Sequence, residues 1–163
     1  MRDAIEKLAI ACLGTARARG LQIATAESCT GGMIAAALTD IAGSSDVFDR
    51  GFVTYSNEAK NELIGVPMDL IEKHGAVSAE VGKAMADGAL ARSNAHMVIS
   101  VTGVAGPGGG SAEKPVGLVH FGLAFADAPT VTFHELFADE DRAGVRAKTV
   151  VRALHAMTSR MKA

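Results

Sequence analysis

The chain has no tryptophan, one tyrosine and six phenylalanines, so aromatics make up 4% of its 163 positions although hydrophobic residues reach 48%. A core without large rings must be filled by Ala, Val, Leu, Ile and Met, which favours helices lying close against a sheet. Cysteine is almost as scarce: Cys12 and Cys29 form no CxxC pair and no Cys/His cluster at zinc-ligand spacing. Neither a disulfide framework nor a metal is therefore expected, and reduced, cytoplasmic thiols are the simplest reading. A basic excess is missing too, since 16 Lys and Arg stand against 18 Asp and Glu for a net charge of −2. That removes the electrostatic footprint of a general nucleic-acid binder, while leaving room for a small anionic ligand. No apolar run approaches the roughly 20 residues of a membrane span, and the N-terminal MRDAIEKLAIACLG carries charges inside its apolar pattern. The expectation is a soluble, unprocessed single domain covering 1–163.

What is present is periodic. Ile5, Leu8, Ala9, Cys12, Leu13 and Ala16 recur at helical spacing before Arg17, Arg19 and Gly20, predicting an amphipathic helix over 2–19. LQIATA (21–26) reads as a strand, and Thr30 is placed to cap a second helix in GGMIAAALTDIAG that Gly43 ends. GFVTYS (51–56) is a second strand, after which Ser56 or Asn57 caps a helix running to Gly65 and Pro67. PMDLIEKHG gives a short helix, SAEVGKAMADGALARSN (78–94) a longer one behind Ser78, and AHMVISVTG (95–103) a buried strand. GVAGPGGGSAEKP must be a loop, VGLVHFGLAFA and TVTFHELF flank Asp127-Ala128-Pro129 as a hairpin, and a closing helix follows Asp139. Strands joined through helices imply parallel neighbours, and the hairpin adds an antiparallel one. The expected fold class is α/β, a three-layer α/β/α sandwich with a mixed sheet of about five strands.

Four stretches could carry chemistry. In ATAESCTGG a strand turns into a helix through Glu27, Ser28, Cys29, Thr30, Gly31 and Gly32. Unpaired helix amides and glycines there suit an anion, while Ser28 and Thr30 as plain caps fit equally well. Cys29 at a helix start could have a lowered thiol pKa or be a small core residue, and Glu27 could bind backbone. In AGSSDVFDRGFVTYSNEAK, Ser44 and Ser45 follow a helix end, Tyr55 ends a strand, and Lys60 sits in the next helix. Serine plus a lysine kept neutral by burial suffices for attack on a carbonyl; a turn serine and a solvated lysine between Glu58 and Glu62 is the plainer alternative. The loop GVAGPGGGS (103–111) lacks the Lys-Ser/Thr ending of a Walker A loop and precedes a strand, so it is neither that nor a dinucleotide fingerprint. Its glycines still let backbone approach a ligand at the end of MVISVT, where open α/β sheets place their sites. Finally, Arg142 stands in the first turn of the last helix, against the helix dipole, which suggests an anionic partner or a local carboxylate such as Asp139 or Glu140. The five histidines (74, 96, 120, 134, 155) show no ligand spacing.

Together, TAESCTGG, DIAGSSDVFDRGFVTYSNEAK, HGAVS and TGVAGPGGGSAEKPVGLVHF resemble the CinA-like family, the C-terminal domain of competence/damage-inducible proteins, and within it the stand-alone nicotinamide mononucleotide deamidases. The resemblance implies an anticodon-binding-domain-like sandwich and hydrolysis of the carboxamide of nicotinamide mononucleotide to nicotinate mononucleotide and ammonia, a salvage step. It implies Ser45 as nucleophile, Lys60 as its base and Tyr55 as a supporting catalytic group. Ser28 would organise the site, with Thr102 and Arg142 binding or orienting substrate; Gly31 and Gly103, from the glycine stretches above, are further candidates for binding substrate or organising the site. No cofactor is expected. The expected partner is a small-molecule nucleotide, with neither nucleic acid nor membrane, in a homo-oligomer. The alternative is a non-catalytic nucleotide-sensing or partner-binding module of the same family.

Overall fold

The computed structural model describes residues 1–163. The elements are α1 (Arg2–Ala18), β1 (Ile23–Glu27), α2 (Met33–Thr39), a single 3-10 turn (Ser44–Asp46), β2 (Phe48–Val53), α3 (Asn57–Ile64), α4 (Met68–His74), α5 (Ala79–Ala91), β3 (Met97–Gly103), β4 (Leu118–Phe125), β5 (Ala128–Leu136) and α6 (Arg142–Lys162). The five strands form one sheet in the order β2-β1-β3-β4-β5. β1 pairs in parallel with both β2 and β3, while β3–β4 and β4–β5 are antiparallel. This is the expected three-layer sandwich with a mixed sheet.

Side-chain alternation along the strands divides the core in two. Ile23, Met97, Ile99 and Val101 face α1, α2 and α6, where Leu13, Leu38 and Leu154 complete the larger cluster. Ala24, Ala26 and Val98 face the other way, toward Ile64 of α3 and Val81 and Met85 of α5. The small residues on that second face let α5 come very near the sheet: Ser100 Oγ donates to Gly82 O at 2.6 Å. Successive parallel strands leave β1 in opposite directions, so the sheet has its topological switch between β1 and β3. Open α/β sheets bind ligands outside the carboxyl ends of strands at such a point.

Several boundaries differ from the sequence reading. β2 begins at Phe48 rather than 51, because as an edge strand it accommodates the charged pair Asp49 and Arg50, whose side chains meet at 2.5 Å. β5 starts at Ala128, leaving Ala126 and Asp127 as the turn and Pro129 on the other edge, where no ladder hydrogen bond requires its missing N–H. Of the two proposed caps for α3, Ser56 is the one used, accepting from Ala59 N at 3.0 Å. Asp141 caps α6 by accepting from Gly144 N at 2.8 Å.

Candidate active site

β1 ends at Glu27, and Ser28 follows it with its side chain on the opposite face. Glu27 points toward α2, fully buried, where its carboxylate accepts from Ile34 N at 2.8 Å, Ala35 N at 3.0 Å and Thr30 Oγ1 at 2.6 Å. The start of α2 is thus occupied by a carboxylate of the chain itself. Thr30 does not cap the helix, and the amides expected to hold an outside anion are already in use. Gly31 does not line the cleft described below, and a Cβ on it would meet Arg146 Nη2 at 3.5 Å, which corrects its expected part in binding substrate or organising the site.

Ser28 points the other way, toward α3, and meets Lys60. The Lys60 side chain is 1% exposed, and its Nζ donates to Ser28 Oγ at 3.0 Å, Thr54 O at 2.9 Å and Tyr55 O at 3.3 Å. Burial lowers the Lys60 pKa from its ordinary value, since the ammonium loses its hydration on leaving water. A neutral amine has two N–H bonds and one lone pair. In that neutral form the two carbonyls would take the N–H bonds and the contact with Ser28 would reverse, its hydroxyl donating to the lone pair, the arrangement a general base requires.

The pair opens onto a cleft of about 320 Å³ at the carboxyl ends of β1 and β3. Glu27 is registered against Val101, so Ser28 lies beside Thr102 on the next strand. Thr102 lines the cleft and anchors the segment before α5 by donating to Ala76 O at 2.9 Å. Gly103 follows at the point where β3 passes β4: a Cβ there would stand 2.7 Å from Val119 Cγ2 and 2.8 Å from Leu118 O. The loop after it, with Gly106, Gly108 and Gly109, forms the wall opposite Lys60. Tyr55 is 60% exposed at the rim, where Arg142 Nη2 donates to its hydroxyl at 3.1 Å and Arg142 Nη1 to Gly106 O at 2.7 Å. Arg142 therefore pairs with none of the carboxylates considered from sequence, and its charge stays unneutralised at the cleft mouth.

Ser45 does not belong to this arrangement. It is exposed in the 3-10 turn that enters β2, held by Asp46 against Arg17 Nε at 2.7 Å, at the opposite end of the sheet. Six residues of β2 separate that turn from the strand's carboxyl end, about 20 Å of extended chain. Within the chain, Lys60 meets Ser28 instead. Lys60 itself, Tyr55, Thr102, Gly103 and Arg142 all lie around the cleft. Cys29 also borders it, but burial pushes its thiol up to about 11, which leaves it protonated at neutral pH.

Sequence reasoning missed Arg146 and Asn57. Arg146 Nε donates to Cys29 O at 3.1 Å and Nη2 to Thr30 O at 3.2 Å, tying α6 to the loop after β1. Its signal was a spacing of one helical turn from Arg142, which puts both guanidinium groups on one helix face. Asn57 lines the cleft at the start of α3 and gave no signal beyond its capping propensity. No three His, Cys, Asp or Glu side chains converge as a metal site, and no helix is long and apolar enough to cross a membrane.

Comparison with known proteins identifies the family. Residues 5–161 match the family model of the CinA C-terminal domain. The chain is 50% identical over 150 residues to the nicotinamide-nucleotide amidohydrolase PncC of Enterobacter agglomerans, covering 92% of this chain and 91% of that protein. It is 52% identical over 143 residues to a putative competence-damage inducible protein of Symbiobacterium thermophilum, of which it spans 34%. The crystal structure of the competence/damage inducible protein CihA from Agrobacterium tumefaciens superposes with a TM-score of 0.94 at 47% identity, over 98% of this chain and 96% of that one. The chain belongs to the CinA C-terminal domain family.

Proposed function

We propose that this protein hydrolyses the carboxamide of nicotinamide mononucleotide, giving nicotinate mononucleotide and ammonia, with Ser28 as nucleophile and Lys60 as its base. The observation that carries the reading is the 3.0 Å contact between a buried lysine amine and a serine hydroxyl at the floor of the cleft. The name of the Enterobacter agglomerans relative supports the substrate class.

Neutral Lys60 takes the Ser28 proton as Oγ attacks the amide carbon, and the C–O bond forms while the carbonyl electrons move to oxygen. That oxyanion needs donors. The backbone amide of Cys29, which borders the cleft directly after Ser28, is at the position from which such a donor commonly comes. The Lys60 ammonium then protonates the amide nitrogen, the C–N bond breaks, and ammonia leaves a nicotinoyl ester on Ser28. Water gives a proton to Lys60 and attacks the ester carbon. Return of that proton to Ser28 Oγ releases the carboxylic acid, which loses its remaining proton to water to give the carboxylate product. Arg142, unpaired with any carboxylate at the mouth, is placed to receive the substrate's phosphate, with Tyr55 steering the guanidinium. The step belongs to pyridine-nucleotide salvage.

Purified protein incubated with nicotinamide mononucleotide should release ammonia and nicotinate mononucleotide in equal amounts. Tight binding of pyridine nucleotides with no ammonia from any of them would replace this reading with a nucleotide-sensing module.

A further inference from the structure

Two cations grip the glycine-rich wall of the cleft, and only one of them has a part in the chemistry described so far. Arg142 holds the near end through Gly106 O, beside Tyr55. The far end closes in a tight turn, where Ser111 N donates to Lys114 O at 2.9 Å and Lys114 N to Ser111 Oγ at 3.1 Å. From that turn the Lys114 side chain leaves the loop, and its Nζ donates to His74 O at the end of α4. Lys114 does not line the cleft, but both segments that it joins do: Gly106, Gly108 and Gly109 on one side, Ala76 and Val77 on the other. Resting on the hydrolase reading above, we infer that Lys114 is a positioning residue for substrate binding, a clamp that holds the glycine-rich wall against the segment between α4 and α5.

The seat fits an ammonium. His74 O is one of the last carbonyls of α4, which have no partner within the helix, and the negative end of the helix dipole favours a cation there. Gly75 follows at a φ of +78°, and a Cβ on it would stand 2.6 Å from Lys114 Nζ, so any side chain at this position would take the space that the ammonium uses. Lys114 enters no ion pair with a carboxylate, which leaves the carbonyl as the contact that fixes it. The segment it grips is anchored in turn: Ser78 Oγ donates to Gly75 O at 2.8 Å, and Thr102 of β3 donates to Ala76 O. Between the two cations run Gly108, Gly109 and Gly110, and glycine has more conformational freedom to lose than any other residue. A wall ordered before the substrate arrives removes that loss from the binding step. Ser28 and Lys60 are held by contacts of their own on β1 and α3, so the clamp acts on affinity and leaves the proton transfer alone.

The test compares the wild type, Lys114→Met and Lys114→Gln by steady-state ammonia release from nicotinamide mononucleotide and by calorimetric titration with nicotinate mononucleotide. Lys114→Met keeps the apolar stem and removes the ammonium. Its KM and its Kd for nicotinate mononucleotide should both rise about tenfold, the equivalent of ordering one residue's backbone, while kcat stays within about threefold. Lys114→Gln, whose shorter amide stops short of His74 O, should behave in the same way, and it decides on the same quantities if Lys114→Met does not fold. A folded variant with wild-type KM and Kd would overturn the inference. So would a fall in kcat as large as the rise in KM, because the lysine would then act on the reacting groups or on the fold as a whole. A wild type that binds nicotinate mononucleotide but releases no ammonia sinks the hydrolase reading alone, and the Kd ratio still decides this inference. One that neither binds nor turns over sinks both, whereas an active wild type whose Lys114 variants bind equally well sinks this inference alone.

Discussion

Lys60 combines a long cationic stem with a position that is 1% exposed, and its chemistry follows from that burial. Because desolvation holds its pKa below the ordinary lysine value of 10.5, the amine becomes a base at lower pH than an exposed lysine would. The protonated form has no lone pair for Ser28, so activity is absent at low pH and rises as Lys60 loses its proton. The kcat/KM profile for ammonia release should accordingly climb to a plateau with a midpoint below 10.5; a midpoint at or above that value would contradict the assignment of the base. The linkage to stability has the same direction. Between the folded and unfolded pKa values of Lys60 the unfolded chain binds more protons, so stability gains from this group as pH rises through that window. Glu27, one residue before Ser28, has a structural role with a measurable cost. In Glu27→Gln an NH2 group would face amides that need an acceptor, and charge-assisted hydrogen bonds of this kind contribute about 2 kcal/mol. Urea unfolding should show a loss of that order, and an unchanged midpoint would mean that α2 does not depend on the carboxylate.

At the scale of elements, the site depends on where α3 is seated, because α3 brings Lys60 under Ser28. Its carboxyl end rests against α5: a Cβ on Gly88 would lie 1.8 Å from Ile64 O. No side-chain rotation can relieve a clash with backbone, so Gly88→Ala must push α3 and α5 apart. The expected loss is about 3 kcal/mol in chemical denaturation, the upper end of the range for overpacking, accompanied by reduced ammonia release as Lys60 is displaced. Gly14 provides the contrast. It is exposed in the middle of α1, where an added Cβ meets nothing within 4 Å. Gly14→Ala should stabilise the protein by about 0.5–1 kcal/mol through helix propensity alone, with no change in kcat. Should both substitutions behave alike, the close α3–α5 approach would not be what positions Lys60.

For the whole molecule, the sandwich was legible in the sequence because each element carried its own period and its own stop: the helical spacing of α1, the unbroken apolar run of β3, the paired runs of β4 and β5. The start of β2 was not legible, because an edge strand buries too little to exclude Asp49 and Arg50. The site was legible in its residue types and less so in its pairing. Ser45 lies fifteen positions before Lys60 and Ser28 thirty-two, so nearness along the chain, like the family resemblance, set Ser45 beside Lys60, whereas the fold brings Ser28 to the lysine. Parallel pairing reverses that order. β1 and β2 run the same way, so the residues that follow both strands meet at one end of the sheet while the turn that precedes β2 sits at the other. Glycine-rich TGVAGPGGG was readable as a cleft wall from its place after β3, whereas Arg146 could be found only once α6 was seen against the loop after β1. The pairing of Ser28 with Lys60 is the central claim, and ammonia release from nicotinamide mononucleotide by Ser28→Ala and Ser45→Ala, measured side by side, tests it most directly. Ser28→Ala should fall by about 10⁴-fold or more, as for loss of a serine nucleophile, while Ser45→Ala stays within about threefold of wild type. Wild-type activity in Ser28→Ala, or collapse in Ser45→Ala, would contradict it.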